Sequence, residues 1–250
     1  QEVDDALGQK LSDIIFNGES GDLNLTENTQ PALMAVSVAV ARVLKAQKPE
    51  LFNLEQTKYL AGHSLGEYSA LTAGGAFTLS DAAKLLRIRG SAMQKAVPVG
   101  VGAMAAIIGL EIDDVAAVTA EASSNASQVS VANDNSFGQV VISGHVAAVE
   151  KACELAKAKG AKRAMLLPVS APFHCSLMKP AADAMAAALA ETKIEMLEIP
   201  LIANITAEPV IEPEHIREFL VRQVTGQVKW RESVIYMHSQ GVTNLVELGA

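Results

Sequence analysis

The segment Gly62-His63-Ser64-Leu65-Gly66 has the G-x-S-x-G pattern that places a serine on a sharp turn between a strand and a helix. Residues 57–61 predict the strand, since they include β-branched and aromatic side chains, and residues 66–75 predict the helix. At such a turn Ser64 stands clear of its neighbours, and free N–H groups at the helix start could stabilise an oxyanion. The pattern predicts a nucleophilic serine. The alternative is a tight glycine turn whose serine caps the next helix.

A serine hydroxyl is a poor nucleophile unless a base accepts its proton. His63 adjoins Ser64, but the side chains of neighbouring residues project in different directions. His174 ends the segment 168–174, where two prolines stiffen the chain and Phe173 provides an apolar wall. It also follows the serine, as the histidine does in α/β hydrolases. His174 is therefore the candidate base, with an ordinary loop histidine as the alternative. The remaining histidines fit surface positions: His145, His215 and His238.

The acidic residue that usually orients such a histidine has no evident candidate between Ser64 and His174. The acids considered lie in helices that should be solvated: Asp81, Asp113, Asp114, Glu150 and Glu154. We therefore expect a Ser–His dyad whose histidine is oriented by a backbone carbonyl. Cys175 is a rival nucleophile because it adjoins the histidine, although a lone cysteine beside an apolar segment is typically a core residue.

Arg89 stands out because it falls in the middle of an apolar stripe. Winding residues 81–96 at the helical period places six apolar residues on one face: Ala82, Leu85, Leu86, Ala92, Met93 and Ala96. A buried guanidinium keeps its proton and needs an anion. That anion could be an internal Asp or Glu, the side chain could extend to the surface, or Arg89 could bind a substrate carboxylate bidentately. The sequence leaves these possibilities open.

The composition limits the class of protein. Half of the 250 residues are apolar and 4% are aromatic, and the formal net charge of −8 argues against binding nucleic acid or anionic membranes. The two cysteines follow no metal-ligand or disulfide pattern. The acidic N-terminus resembles no signal peptide, and the longest apolar stretch, 32–41, is too short to span a bilayer. We expect a cytoplasmic protein with no metal site and no membrane or nucleic-acid partner.

Alternating strands and helices predict an α/β fold with a mostly parallel sheet. Outside the middle of the chain, helices are predicted at 3–16, 31–48 (with Asn28 or Thr29 as cap), 80–96, 180–191, 213–223 and 230–240, and strands at 199–203 and 242–247. Residues 101–168 follow the order β-α-β-β-α-β of a ferredoxin-like unit, with residues 133–138 as a turn. We expect this unit to be a small subdomain inserted into a large one formed by residues 1–100 and 169–250.

The segment Gly62–Ala70 closely resembles the active-site signature of bacterial malonyl-CoA:acyl carrier protein transacylases. Further segments resemble the same family along nearly the whole chain: 29–32, 89–94, 96–98, 102–106, 133–144, 173–174, 178–181 and 221–223. The resemblance implies an α/β-hydrolase-like large subdomain with a ferredoxin-like insert. It also implies that malonyl-CoA and the phosphopantetheinyl acyl carrier protein are the substrates, with no permanently bound cofactor, and we expect a monomer.

The resemblance also implies roles for individual residues. Ser64 would take the malonyl group, His174 would be the base, and Gln223 would orient His174 through its backbone carbonyl. Arg89 would hold the free malonyl carboxylate, and the Leu65 N–H would donate to the oxyanion. Phe173, directly before the histidine, resembles the residue found in malonyl-selective acyltransferase domains, where a bulky side chain disfavours an acyl group with a methyl branch. The other implied substrate contacts are His63, Met93, Asn133 and Asn135.

One departure from the family concerns the N-terminus. Members of the family begin with a strand and a Gly-Gln-Gly-Ser-Gln loop whose first glutamine supplies a second oxyanion donor, and the sequence as given starts after that loop and stops at Glu247-Leu248-Gly249-Ala250. From these residues alone we expect half of an oxyanion hole, and losing one donor typically costs about 10²–10³ in rate.

The expected function is transfer of a malonyl group from malonyl-CoA to acyl carrier protein through a malonyl-serine, a step of fatty acid biosynthesis. The alternatives are a serine thioesterase or esterase, in which water replaces the thiol, and a degenerate acyl-binding or carrier-binding module without catalysis.

Overall fold

Helices fill most of the first hundred residues, because apolar residues recur there at helical spacing and alanine is frequent. The structure is a computed structural model that describes residues 1–49, 56–169 and 171–249. Among the described residues of the first hundred there are six helices: α1 (Glu2–Leu7), α2 (Leu11–Asn17), α3 (Ser20–Asn24), α4 (Thr26–Gln47), α5 (Gly66–Ala73) and α6 (Leu79–Lys95).

The helix predicted at 3–16 is divided, and the helix predicted at 31–48 is formed but starts earlier than expected. The helix expected at 3–16 is two helices, because the Asp4 carboxylate accepts the Ser12 N–H at 2.9 Å and its hydroxyl at 2.5 Å, which folds α2 back on α1. The helix expected from residue 31 begins at Thr26, so Pro31 lies more than one turn inside it. Thr29 does not cap it; its hydroxyl donates to the Leu23 and Leu25 carbonyls.

The middle of the chain forms a four-stranded antiparallel sheet covered by two helices. In chain order the elements are β1 (Gly102–Ile108), α7 (Ile112–Ala122), β2 (Val129–Ser136), β3 (Gln139–His145), α8 (Val146–Ala158) and β4 (Arg163–Leu166). The strand order β2-β3-β1-β4 is that of a ferredoxin-like unit, as predicted. Apolar residues of the sheet and both helices, including Ile107, Val115, Ile142 and Val149, form a core of their own.

Strand β2 is longer than predicted. Residues 133–136, expected to form the start of a turn, continue the ladder to Gln139, with register shifts at Val131/Asn133 and Asp134/Ser136. A second neighbour supports this extension: the Asp134 N–H donates to the Val228 carbonyl at 2.9 Å, and the Val228 N–H donates to the Ala132 carbonyl at 2.8 Å. Polar residues typical of turns are therefore held in a strand by pairing on both sides.

The last part of the chain adds α9 (Lys179–Ala190), β5 (Leu201–Ile202), β6 (Pro209–Val210), α10 (Pro213–Thr225) and α11 (Trp230–Ser239). Leu60 pairs in parallel with Leu201, which places the residues before Ser64 beside the segment 200–204. The strand predicted at 242–247 is not formed, since these residues have no ladder partner among the described residues and Leu245 and Val246 are exposed. The α/β class and the ferredoxin-like insert are confirmed. The mostly parallel sheet is not formed among the described residues, because β5 and β6 pair antiparallel and the strand expected at 57–61 is reduced to the single parallel bridge of Leu60 with Leu201.

The insert is joined to the rest of the molecule along β2. Besides the pairing with Val228, Asp134 accepts the Nε–H of Arg231 from α11 at 2.8 Å, and the Lys229 N–H donates to the Asn204 carbonyl at 2.9 Å. Asp134 is fully buried. These contacts fix the end of β2 beside the turn that carries Ser64. Within the described residues, no helix has the length and apolar character to cross a bilayer.

Helices α4 and α6 pack against each other with their backbones in close approach. A Cβ atom on Gly90 would lie 2.6 Å from the Thr26 carbonyl oxygen and from the Glu27 Cα, a separation that allows no side chain. The neighbouring residue on α6 is Arg89, so this contact sets the position of the guanidinium.

We expect Gly90→Ala to destabilise the protein by about 1–3 kcal/mol through overpacking, although helix propensity alone would favour alanine by about 1 kcal/mol. Gly21→Ala in the exposed helix α3 is the matched control, because a Cβ there meets nothing within 4 Å. Denaturant unfolding of both variants checks this, and a Gly90→Ala protein as stable as the parent would contradict it.

Candidate active site

The turn at Ser64 requires a close passage of the chain over the start of α5. A Cβ on Gly62 would lie 2.0 Å from the Gly66 carbonyl oxygen, so only glycine fits. Ser64 has a φ of 53°, a left-handed conformation that is uncommon outside glycine. The Gly66 N–H donates to the His63 carbonyl at 2.8 Å and closes the turn. The result is a strained tip that presents the Ser64 hydroxyl.

Ser64 and His174 form a hydrogen-bonded pair. The Ser64 Oγ lies 2.8 Å from the His174 Nε2, and the His174 Nδ1 lies 2.8 Å from the Gln223 backbone carbonyl oxygen. Because a carbonyl only accepts, the Nδ1 carries the ring proton and Nε2 is free to accept the proton of Ser64. No carboxylate contacts His174 in the part of the chain that the structure describes. The arrangement is that of a dyad with a carbonyl as the orienting group.

The environment keeps His174 neutral. The residue is 4% exposed, and burial, followed by the nearby Arg89 charge, lowers the pKa of its imidazole to about 3, against a smaller opposing effect of the Gln223 carbonyl. Its φ of 57° is also left-handed, so both members of the dyad lie on strained backbone. At neutral pH His174 is therefore unprotonated and able to act as a general base.

Arg89 lies beside the dyad and is 1% exposed. Its Nη1 donates to the Gln30 Oε1 at 2.7 Å, and its Nη2 donates to the Ser64 Oγ at 3.1 Å and the Gln223 Oε1 at 2.8 Å. The guanidinium also lies 5.8 Å from the centre of the Tyr68 ring. Among the described residues its Nε has no hydrogen-bond partner, and every partner of the other two nitrogens is uncharged. The side chain thus neither reaches the surface nor pairs directly with a carboxylate.

The backbone after the serine offers one free donor. The Ser64 N–H donates to the Asn204 Oδ1 at 2.7 Å and is unavailable to a ligand. The Leu65 N–H has no acceptor among the described residues and lies at the start of α5, where the helix dipole favours negative charge. This N–H group is the available backbone donor for an oxyanion that develops on the carbonyl oxygen of an acyl group attacked by Ser64.

The sequence-predicted residues His63, Asn135 and Phe173 lie at the junction of the insert with the rest of the molecule. The His63 Nε2 is 2.9 Å from the Asn135 Oδ1, and its ring meets that of Trp230 edge-on at 5.7 Å. Phe173 packs against the hydrophobic core formed by α4, α5, α6, α9 and α10. It also packs against a small cluster that contains Met104. His63 and Phe173 directly precede the two members of the dyad, and Asn135 joins them through its contact with His63.

Met93 and Asn133 are placed differently. Met93 is buried in the core one turn beyond Arg89, and its sulfur accepts a 3.7 Å contact from the Gln30 Nε2. Asn133 is buried and pairs through its backbone with Val228. Among the described residues neither side chain is hydrogen-bonded to Ser64, whose Oγ contacts His174 and Arg89. The Cys175 thiol donates to the Pro172 carbonyl and burial raises its pKa, which does not suit a nucleophile.

Three polar residues at the site have no assigned role in the sequence analysis: Gln30, Glu67 and Asn204. Glu67 is 1% exposed, although an acid in the first turn of a helix normally indicates a solvated end. Gln30 could have been indicated by its place in segment 29–32, which resembles the family. It lies on a buried face of α4. Asn204 contacts residues 137 to 142 positions away, so no local pattern could indicate it.

All 250 residues match the model of the family described as acyl transferase domain. The malonyl CoA-acyl carrier protein transacylase of Escherichia coli strain K12 is 46% identical over 248 residues, which are 99% of this chain and 78% of that protein.

Solved structures agree. The acyl-carrier-protein-S-malonyltransferase of Bartonella henselae superposes with a TM-score of 0.93 at 54% identity, covering 100% of this chain and 78% of that one. A malonyl-transacylase solved in complex with a type II PKS acyl-carrier protein gives a TM-score of 0.93 at 43% identity, covering 99% and 78%. With a match over its whole length and relatives this similar, the chain belongs to the acyl transferase domain family.

Proposed function

We propose that this protein transfers a malonyl group from malonyl-CoA to the phosphopantetheine thiol of acyl carrier protein through a malonyl ester of Ser64. The observation that carries the proposal is the buried Arg89 guanidinium, whose Nη2 lies 3.1 Å from the oxygen of the dyad serine and which has no direct carboxylate partner among the described residues. A cation so placed suits an acyl group with a free carboxylate. The relatives named above are transacylases of this kind.

In the first half of the reaction His174 accepts the Ser64 proton at Nε2 while the serine oxygen attacks the malonyl thioester. The negative charge that develops on the thioester oxygen is stabilised by the Leu65 N–H and the start of α5. The C–S bond then breaks, and coenzyme A leaves as a thiol with the proton that His174 returns.

The second half runs through the same groups in reverse. The phosphopantetheine thiol gives its proton to His174 and attacks the ester carbonyl of malonyl-Ser64. The ester C–O bond breaks, Ser64 recovers its proton from His174, and the malonyl thioester leaves on the carrier. No step requires a resident cofactor, because His174 carries out each proton transfer and the transferred group moves between thiol and hydroxyl.

Arg89 supplies selectivity. The malonyl carboxylate replaces neutral acceptors on a guanidinium that is already buried and oriented, so a charge-assisted pair forms with little reorganisation. Acyl groups without a carboxylate form no such pair with the guanidinium. We assign substrate contacts to Phe173, His63 and Asn135, and the resemblance to the family extends the assignment to Met93 and Asn133.

The alternatives have less support. The 2.8 Å contact between Ser64 and His174 argues against a degenerate binding module. A serine hydrolase would use the same dyad with water as the acyl acceptor. Transfer is favoured because Arg89 suits a dicarboxylic acyl group and because the similar proteins are transacylases. We also propose that residues 1–100 and 169–250 form the catalytic subdomain, that 101–168 form the insert, and that the protein acts as a cytoplasmic monomer.

Ser64→Ala should abolish the covalent malonyl adduct, since Ser64 is the one hydroxyl among the described residues that is hydrogen-bonded to the His174 Nε2. Intact-protein mass spectrometry after incubation with malonyl-CoA measures the adduct. Ser130→Ala, on an exposed position of β2, should label like the parent. Malonyl label that still accumulates on the Ser64→Ala protein would overturn the assignment.

Arg89→Ala should lower kcat/KM for malonyl-CoA by about ten- to a hundredfold, the effect of losing a hydrogen bond to a charged group. Acetyl transfer should be retained. Arg87→Ala is the matched control, because Arg87 lies on the same helix and is less buried. An equal loss on malonyl and acetyl groups would instead indicate that Arg89 only supports the structure.

The rate at which a sulfonyl fluoride labels Ser64 should stay constant well below pH 6.5, the ordinary pKa of histidine. The lowered pKa of His174, about 3, keeps the base unprotonated to lower pH. In the Arg89→Ala protein the labelling rate should begin to fall at a higher pH than in the parent. Removing the neighbouring positive charge raises the pKa of His174, although its burial remains. A parent protein whose rate falls with an ordinary histidine pKa would contradict the proposed environment.

A further inference from the structure

Glu67 is a buried carboxyl group that the reaction above does not use. It lies three residues after Ser64, on the first turn of α5, and is 1% exposed. Its Oε1 accepts the Asn204 backbone N–H at 2.8 Å, and its Oε2 accepts a hydrogen bond from the Gln223 side-chain amide. A buried carboxyl is costly unless both oxygens are satisfied, so these two contacts account for how it is held but not for why it is there.

The contact with Gln223 fixes the direction of that side-chain amide. The Gln223 Nε2 has two acceptors, the Glu67 Oε2 and the Ser64 carbonyl oxygen at 2.9 Å. Its Oε1 therefore points the other way, to the Arg89 Nη2 at 2.8 Å. A reversed amide would place its NH₂ group against the guanidinium, and two donors cannot bond to each other. Glu67 thus determines that Arg89 meets an acceptor.

The arrangement also explains how Arg89 is stabilised without being blocked. A buried guanidinium needs compensating negative charge, and Glu67 provides it from the far side of the Gln223 amide. A direct ion pair would occupy the nitrogens that a substrate carboxylate needs. With the amide between them, the group displaced by substrate is a neutral oxygen. Burial raises the pKa of Glu67 to about 7, whereas its hydrogen bonds from Asn204 and Gln223 and the Arg89 charge act in the opposite direction and favour the ionised form.

A second branch from Glu67 reaches the turn itself. Asn204, whose N–H binds Glu67, accepts the Ser64 N–H at 2.7 Å and donates its side-chain NH₂ to the Gly62 carbonyl at 2.8 Å. The carboxylate therefore ties together the residue that holds the turn and the residue that holds Arg89.

We propose that Glu67 is a positioning residue for acyl selectivity: through the Gln223 amide it holds the Arg89 guanidinium toward the carboxylate of the acyl group on Ser64. The proposal rests on the malonyl transfer described above. It assigns to Glu67 no contact with substrate and no role in proton transfer.

The test is Glu67→Gln, which keeps the size of the side chain. The introduced amide has one acceptor oxygen for two donors, so either Asn204 or Gln223 must face an NH₂ group. We expect the ratio of kcat/KM for malonyl-CoA to that for acetyl-CoA to fall by about tenfold, as for a weakened hydrogen bond to a charged group. The rate of sulfonyl fluoride labelling of Ser64, which needs the dyad but no carboxylate, should remain close to that of the parent.

Two further variants keep the result decisive. Glu218→Gln makes the same change on the exposed face of α10 and should leave the ratio unchanged. If Glu67→Gln does not fold, Gln223→Met removes the connecting amide but retains the backbone carbonyl on His174, and it should show the same selective loss.

The outcomes separate the two proposals. A parent protein that never forms malonyl-Ser64 would overturn the proposed function itself. A parent that forms the adduct, together with a folded Glu67→Gln or Gln223→Met protein that keeps the parental malonyl-to-acetyl ratio, would overturn only the role of Glu67. A parallel fall in malonyl transfer, acetyl transfer and labelling would also overturn it, because it would indicate general support of the turn.

Discussion

The site depends on one constraint: a permanent positive charge is held out of water beside a serine nucleophile. Arg89 cannot shed its proton, and its burial would be strongly unfavourable without acceptors and compensating charge. The protein supplies amide and hydroxyl oxygens as direct partners and places the carboxylate of Glu67 one group away. The cation is therefore stable in the resting protein and remains able to exchange partners.

The elements around the site can be understood from this requirement. The glycine contact between α4 and α6 brings Gln30 close enough to bind the guanidinium. Helix α10 contributes Gln223 twice, with its backbone carbonyl on His174 and its side-chain amide between Glu67 and Arg89. The same positive charge contributes to the low pKa of His174. One cation thus organises both acyl recognition and the protonation state of the base.

Local patterns in the sequence predict the parts of the site that depend on neighbouring residues. The turn at Ser64, the buried position of Arg89 and the ferredoxin-like insert all follow from spacing within short segments. The extension of β2 and the division of the first helix were not predicted, because they depend on pairing with Val228 and on one carboxylate contact across eight residues. Glu67 was missed because burial of a polar helix start is decided by segments distant in sequence, here those carrying Asn204 and Gln223.

The hydrogen bond from Arg89 to the Ser64 oxygen affects the resting nucleophile. In this state the serine proton is directed to His174, and one of the two lone pairs of its oxygen is directed to the guanidinium. Electron density engaged by a cation is less available for attack on a carbonyl carbon. A carboxylate that draws the guanidinium away from the serine releases that lone pair. Recognition of the acyl group and release of the nucleophile are then the same exchange of hydrogen bonds.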